Sequence, residues 1–280
     1  MRGTAWRWGL AAAITLASLV WQRVSGPTYP ARGGVALGGT EVAFALERSH
    51  SIASDQPVAV RVPDAGVTGE IVWRRYPTED EWRIDEMRRE GDELRGSLPK
   101  QPPAGKLEYQ VRLRRGDEQA VFPSRPAVTR FRGDVPAPVL VAHIAAIFLA
   151  MLFAARAGVE ALAPRGPLVR LAWTTLALFV VGGFILGPAV QKYAFDAWWT
   201  GVPFGWDLTD NKTLVAFAAW AAAAFALRGG RQGRGGRQGR GAVLSATVVT
   251  LLVFAIPHST WGSQIDWAKV KQETSKALHN

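Results

Sequence analysis

Residues 135–170 read VPAPVLVAHIAAIFLAMLFAARAGVEALAPRGPLVR, and this stretch decides the fold. Positions 135–155 carry no formal charge. That is the length of apolar chain an α-helix needs to cross a hydrocarbon core of about 30 Å. Arg156, Arg165 and Arg170 follow, with one acid, Glu160, before a second uncharged run at 171–190. Two apolar runs joined by a short arginine-rich link predict neighbouring antiparallel membrane helices.

Three further uncharged stretches lie outward from this pair, at 8–22, 213–227 and 241–256. Arg2 and Arg7 precede the first, and Arg228, Arg231, Arg234, Arg237 and Arg240 fill the link between the last two. Ten arginines in alternate connections thus face one acid, Glu160. Excess Lys and Arg in short loops marks the cytoplasmic side. The pattern predicts five crossings of a bacterial inner membrane, with the N-terminus in the cytoplasm and the C-terminus in the periplasm. Residues 1–24 are expected to stay as a signal anchor, because no small-x-small cleavage site follows in Leu19-Val20-Trp21-Gln22-Arg23. The runs 213–227 and 241–256 are short for a span, but Lys212 and Arg228 can snorkel from the ends of the first of them.

The net charge of +10 has the same origin. Residues 31–134 carry 17 basic and 17 acidic side chains and are neutral as a block. The positive excess is a topology signal rather than a polyanion site, so nucleic acid is not an expected partner. The link 228–240 holds Arg-Gly-Gly-Arg-Gln-Gly twice in tandem and is expected to meet anionic lipid. The chain has no cysteine, which excludes disulfides, thiolate catalysis and cysteine-ligated metals.

Residues 25–40 read as a Gly- and Pro-bearing linker, and 41–134 as an all-β domain. Val42, Phe44 and Leu46 alternate, as do Val58, Val60 and Val62. Leu107, Tyr109, Val111 and Leu113 interleave with Glu108, Gln110 and Arg112. About seven such segments with one apolar face, completed by Val121-Phe122 and Val128–Phe131, predict a β-sandwich. The stretch Leu98-Pro-Lys-Gln-Pro-Pro-Ala-Gly-Lys-Leu-Glu-Tyr109-Gln-Val resembles the late strand pair of an immunoglobulin- or fibronectin-type domain. That resemblance implies that Tyr109 anchors a corner of the fold; it implies no activity.

Residues 135–257 are expected as a four-helix transmembrane domain, followed by a periplasmic tail at 258–280. The connection 191–212 is unusually aromatic, with Trp198, Trp199, Phe204 and Trp206. Such side chains favour the headgroup layer and supply rigid contact area, so these four are the candidate partner-binding residues. Lys192, Asp207, Asp210 and Lys212 lie at the same level and are expected to form an ionic network. Thr209 or Asp210 is expected to cap the following helix. Gly183-Phe-Ile-Leu-Gly187 fits the small-xxx-small packing pattern.

The words Gly-Pro-x-x-Gln-Lys-Tyr-Ala-Phe from Gly187 and Trp-Thr-Gly-x-Pro-Phe-Gly-x-Asp-Leu-Thr-Asp-Asn-Lys from Trp199, with the terminal Pro257-His258-Ser259, resemble a group of bacterial inner-membrane proteins that have no assigned reaction. The resemblance covers the chain from about residue 139 and implies topology. With the Arg-, Ala- and Gly-rich composition, the chain also resembles an accessory subunit of a photosynthetic reaction centre–light-harvesting complex of the gemmatimonad type.

No phosphate-binding glycine loop, nucleophile elbow, paired helical carboxylates or metalloprotease helix is present. The sequence therefore reads as a non-catalytic scaffolding subunit whose partners are other integral membrane subunits. No cofactor of its own is required, though lipid or pigment from neighbouring subunits could be bound. The competing reading is a membrane redox protein that holds haem or quinone with His143 and His258.

Overall fold

The computed structural model describes residues 2–163, 166–228, 236–257, 265 and 267. The chain divides into two compact units. One comprises Met1–Gly26 and Val135–Gly262 and is helical; the other comprises Pro27–Asp134 and Ser263–Asn280 and is built on β-sheet.

The helical unit contains α1 (Arg2–Ser25), α2 (Ala137–Ala161), α3 (Leu168–Phe179), α4 (Gly187–Phe195), α5 (Leu208–Arg228) and α6 (Arg237–Ala255). A π-helical segment, Val180–Leu186, joins α3 to α4 without a break. Among the described residues, three helical runs are long and apolar enough to cross a membrane: Ala137–Ala161, Leu168–Phe195 and Arg237–Ala255. Helices α1 and α5, of 24 and 21 residues, are the other two runs expected to span.

Small residues set the packing of this unit. Ala146, Ala150, Ala154, Ala157, Gly158 and Ala161 make a buried stripe along α2. A Cβ at Gly158 would lie 2.6 Å from Cγ2 of Thr247 on α6, so only glycine allows the two helices this close. The approach lets Thr247 Oγ1 donate to the Ala154 carbonyl at 3.1 Å. Trp220 of α5 is fully buried, and its indole N–H donates to Thr250 Oγ1 on α6 at 2.9 Å. These bonds satisfy polar groups that lipid would leave bare. The expected Gly183/Gly187 motif divides its work: Gly183 lies against Thr213 of α5, while Gly187 lies near His143 of α2.

Helix α1 is fastened at both ends. Near its start, Arg7 Nη1 donates to Glu160 Oε1 at 2.7 Å. Glu160 Oε2 accepts from Arg156, one turn earlier on α2. Trp8 meets the ring of Phe153 edge-on at 5.3 Å, and the Arg156 guanidinium lies over Trp8 at 5.4 Å. Near its end, Trp21 Nε1 donates to the Ala255 carbonyl at 2.8 Å and Gln22 Nε2 to that of Phe254 at 2.5 Å. Lys212 Nζ donates to the carbonyls of Ile256 and Pro257 at 2.5 and 3.4 Å. The orphan carbonyls at the end of α6 are thereby capped, with a cation at the negative end of the helix dipole. At the opposite end, Arg240 donates to the Ala161 carbonyl at 3.1 Å and to that of Ala163, capping α2.

Among the described residues, the β unit contains ten strands in three sheets. A hairpin pairs β1 (Ala31–Leu37) with β2 (Thr40–Leu46). A five-stranded sheet has the order β3 (Ser49–Ser51), β10 (Glu118–Arg132), β9 (Lys106–Arg115), β5 (Thr68–Arg75), β6 (Arg83–Glu86). A three-stranded sheet has the order β4 (Gln56–Arg61), β8 (Glu93–Leu98), β7 (Arg88–Glu90). The alternating residues Val42, Leu46, Val58, Val60, Leu107, Val111 and Leu113 all enter one shared core.

Two expectations need correction here. The stretch 25–40 is not simply a linker: β1 occupies 31–37 of it, and Gly38-Gly39, with φ of +60° and +75°, forms a two-residue hairpin turn. Glycines at 33 and 34 hid the strand from a reading based on side-chain alternation. The two segments expected near 121 and 128 are one strand, β10, whose register against β9 shifts between Phe122 and Ala127.

Tyr109 does anchor a corner. It is fully buried and its phenol donates to the Glu47 carbonyl, between β2 and β3, at 2.7 Å. Gln56 Nε2 donates to the same carbonyl at 3.0 Å, and Thr129 Oγ1 donates to Gln56 Oε1 at 2.7 Å. Burial pushes the Tyr109 phenol well above its ordinary range, so it remains a donor at any physiological pH. An unmatched buried carbonyl in its place would cost about 1–3 kcal/mol.

Candidate functional site

The site lies where α4 ends, the aromatic connection turns and α5 begins. Asp196, with φ of +60°, terminates α4, and its N–H donates to the Lys192 carbonyl at 3.0 Å. The Lys192 ammonium pairs with the Asp196 carboxylate at 2.6 Å, one helical turn away. Asp207 caps α5: its Oδ1 accepts from the amides of Thr209 at 2.7 Å and Asp210 at 3.4 Å. The cap is therefore Asp207, rather than Thr209 or Asp210 as expected. The chain leaves helical geometry one residue earlier, and the carboxylate of Asp207 spans the distance to the two first-turn amides.

Asp210 performs a different task. It is buried, and its Oδ2 accepts from Thr200 N at 2.7 Å, Gly201 N at 3.0 Å and Thr200 Oγ1 at 3.2 Å. Next to it, Asn211 Oδ1 accepts from Val202 N at 2.8 Å. Gln191 Nε2, from α4, donates to Thr200 Oγ1 at 2.6 Å. Three successive loop amides are thus held by the first turn of α5. A Cβ at Gly201 would lie 2.6 Å from Asp210 Cβ and 2.8 Å from Asn211 Oδ1, so only glycine fits. The tip folds back on itself: Phe204 N and Gly205 N both donate to the Gly201 carbonyl at 2.9 Å, and Asp207 N to that of Thr200 at 3.0 Å.

The residues of the expected ionic network, Lys192, Asp207, Asp210 and Lys212, direct hydrogen bonds largely to other groups, while Lys212 also senses the charge of Asp207. Lys192 takes Asp196, Lys212 takes the carbonyls at the end of α6, and the two aspartates hold loop and cap amides. Backbone donors win because each would otherwise be left without a partner at a helix end or in a tight turn. Thr200, Gly201, Asn211 and Asp196 were not among the expected site residues. The usable signal was the pairing of Trp-Thr-Gly with Asp-Leu-Thr-Asp-Asn, a tight turn followed by an acid-rich helix start.

The four aromatic residues separate into two classes. Trp199 is half-buried. Its ring stacks on Phe184 of the π-helical segment, with centroids 5.6 Å apart, and Phe184 in turn meets Phe217 of α5 edge-on at 5.0 Å. The Trp199 N–H donates to the Val202 carbonyl at 3.1 Å. Trp199 is an internal pin. Trp198, Phe204 and Trp206 are 61%, 82% and 86% exposed and form the outward surface of the loop.

His143 Nδ1 lies 2.9 Å from the Gly182 carbonyl, in the π-helical segment. Donation from Nδ1–H leaves Nε2 as the ring's lone-pair nitrogen. His258 and the link 229–235 lie outside the described residues. Among the described residues, no group of three or more His, Asp or Glu side chains is arranged to hold a metal ion.

Compared with protein-family models, with curated proteins and with solved structures, the chain matches none.

Proposed function

We propose that the chain is a non-catalytic scaffolding subunit of a larger bacterial membrane complex, and that Trp198, Phe204 and Trp206 are its docking surface. One observation carries this reading: the three most exposed aromatic side chains of the loop stand on a frame whose polar groups are all engaged in holding it. Asp207, Asp210, Asn211 and Gln191 bond to loop, cap or neighbouring groups. A rigid aromatic surface loses little conformational entropy on association, which is the property that makes such residues dominate interfaces. The parent assembly implied by the sequence resemblance is a photosynthetic reaction centre–light-harvesting complex, with other integral membrane subunits as partners and with lipid or pigment at the shared surface.

The same proposal has five crossings of the inner membrane. Helix α1 bonds to α2 at one end and to the end of α6 at the other, so it runs the length of the apolar helices. Helix α5, at about 1.5 Å per residue, is as long as a hydrocarbon core is thick. Arg7, Arg156 and Arg240 gather at one end of this bundle, which the positive-inside rule assigns to the cytoplasm. The β unit is then periplasmic, and the Tyr109 corner supports an immunoglobulin-like reading of it. With cysteines introduced at Gly235 and Ser275, an impermeant thiol reagent applied to intact spheroplasts should label position 275 and spare position 235. The reverse pattern would invert the topology.

A second reading is favoured by His143. A histidine that donates Nδ1–H to a backbone carbonyl is oriented as metal-ligating histidines are, with Nε2 available to a haem or quinone shared with His258. The two readings separate in one experiment. Purified with its native partners, the Phe204→Ala/Trp206→Ala protein should insert normally and lose partner affinity about tenfold for each side chain removed. The His143→Ala/His258→Ala protein should keep its partners. If the histidine variant instead loses a chromophore in the reduced-minus-oxidised spectrum while its partners stay bound, the redox reading replaces the scaffold.

A further inference from the structure

Two described residues of the C-terminal segment, Ile265 and Trp267, belong to the β unit rather than to the helical one. Arg75, at the end of β5, is held by Asp80, with its Nε donating to the carboxylate at 2.5 Å. So fixed, it presents the face of its guanidinium to the Trp267 ring at 4.9 Å. The Trp267 indole nitrogen is buried and has no acceptor among the described residues. The ring is therefore seated against protein rather than resting on an open surface.

A second grip lies on the turn before β9. Ile265 packs beside this turn: a Cβ built at Gly105 would lie 3.4 Å from Ile265 Cδ1, at van der Waals contact. Gln101 and Arg75 line the same cleft of 270 Å³, together with Trp73, Asp80, Arg83 and Pro99. Both grips thus fall at the rim of one cleft. The Arg83 guanidinium already covers the Trp73 ring at 5.2 Å and that of Arg74 covers Trp82 at 4.6 Å, which leaves Trp267 as the ring that takes Arg75.

We infer that the C-terminal segment is an intramolecular strap, docked by Ile265 and Trp267 onto the cleft rim formed by Arg75, Gln101 and Gly105. The occupant of this surface is the chain itself. Arg75 supplies a cation over an aromatic face, and the Gly105 turn supplies a shallow apolar seat; the cation–aromatic contact is the stronger grip against the conformational entropy of the segment. The strap also constrains topology. A segment that follows the helices and returns to the sandwich requires an even number of crossings between Asp134 and Ile265, as the five-span arrangement has. The inference does not depend on any partner subunit.

The chain has no native cysteine, which makes the strap directly testable in the full-length protein. In a Gln101→Cys/Ile265→Cys protein, a short bifunctional maleimide should join the two positions within one chain in most molecules. Adding Trp267→Ala should reduce that product at least about fivefold, because the cation–aromatic grip on Arg75 is then gone. In the single variant Ile265→Cys, which leaves the sandwich untouched, thiol labelling should run about tenfold slower in the native protein than in urea. Labelling at the unfolded rate overturns the strap, and so does a crosslink that Trp267→Ala leaves unchanged.

Discussion

Replacing Glu160 by alanine is expected to cost about 3–5 kcal/mol of stability, the range for breaking a buried ion pair from one side. Glu160 is 2% exposed and Arg156 3%. Its two carboxylate oxygens serve two cations, Arg7 of α1 and Arg156 of α2. Without the carboxylate, Arg156 keeps only the face of Trp8, and Arg7 keeps only Trp6, whose ring its guanidinium overlies at 5.7 Å. Two cations packed among helices, with no anion between them, repel each other at low local dielectric. Glu160→Gln should fall between, since it preserves shape and hydrogen-bond acceptance but not charge. Thermal melting of the detergent-solubilised protein measures both, and protease accessibility of residues 2–25 tells whether α1 has come away. A Glu160→Ala protein that melts like the unmodified one, with α1 protected, would mean that the triad contributes nothing.

The second large effect is expected at Asp210. Alanine there removes the acceptor for Thr200 N and Gly201 N, two charge-assisted bonds worth about 1.5–3 kcal/mol each. The loss should be local. Amide hydrogen exchange across 196–207 should accelerate about a hundredfold or more, while that of α2 and α6 stays slow. Asp210→Asn keeps one acceptor oxygen and should lose less. The exposed rings of Trp198, Phe204 and Trp206 would then stand on a loose frame, so recovery of native partners should fall with no interface atom removed. Unchanged exchange in the loop of Asp210→Ala would show that Asn211, Gln191 and the Trp199–Phe184 stack hold it without Asp210.

The fate of individual residues shows how far the sequence could be read. The apolar stretches 135–155, 171–190 and 241–256 overlap, to within two residues at their ends, the three helical runs among the described residues that are long and apolar enough to cross a membrane. The alternating valines and leucines enter the β core as expected. Tyr109 lies in the regularly alternating run Leu107–Leu113, and its phenol bonds across the corner to the Glu47 carbonyl. Strand β1 was illegible because Gly33 and Gly34 have no side chains to alternate. Trp198 and Trp199 are neighbours of one type, yet Trp199 stacks inside on Phe184 while Trp198 faces outward. No pattern in the loop distinguishes them, since the difference lies in a segment some fifteen residues away in the chain.

The sequence by itself determined where apolar helices and two-faced strands would form, and to which ends of the helices the arginines would gather. Those properties depend on composition and period along one dimension, and the hydrophobic effect reads them directly. Only the tertiary structure decided which partner each polar side chain takes. Lys192, Lys212, Asp207 and Asp210 could have paired with one another. Once the helices pack, however, Lys192 meets Asp196, Lys212 meets the carbonyls at the end of α6, and the two aspartates meet amides of the loop and of the helix start, groups that cost free energy to leave bare.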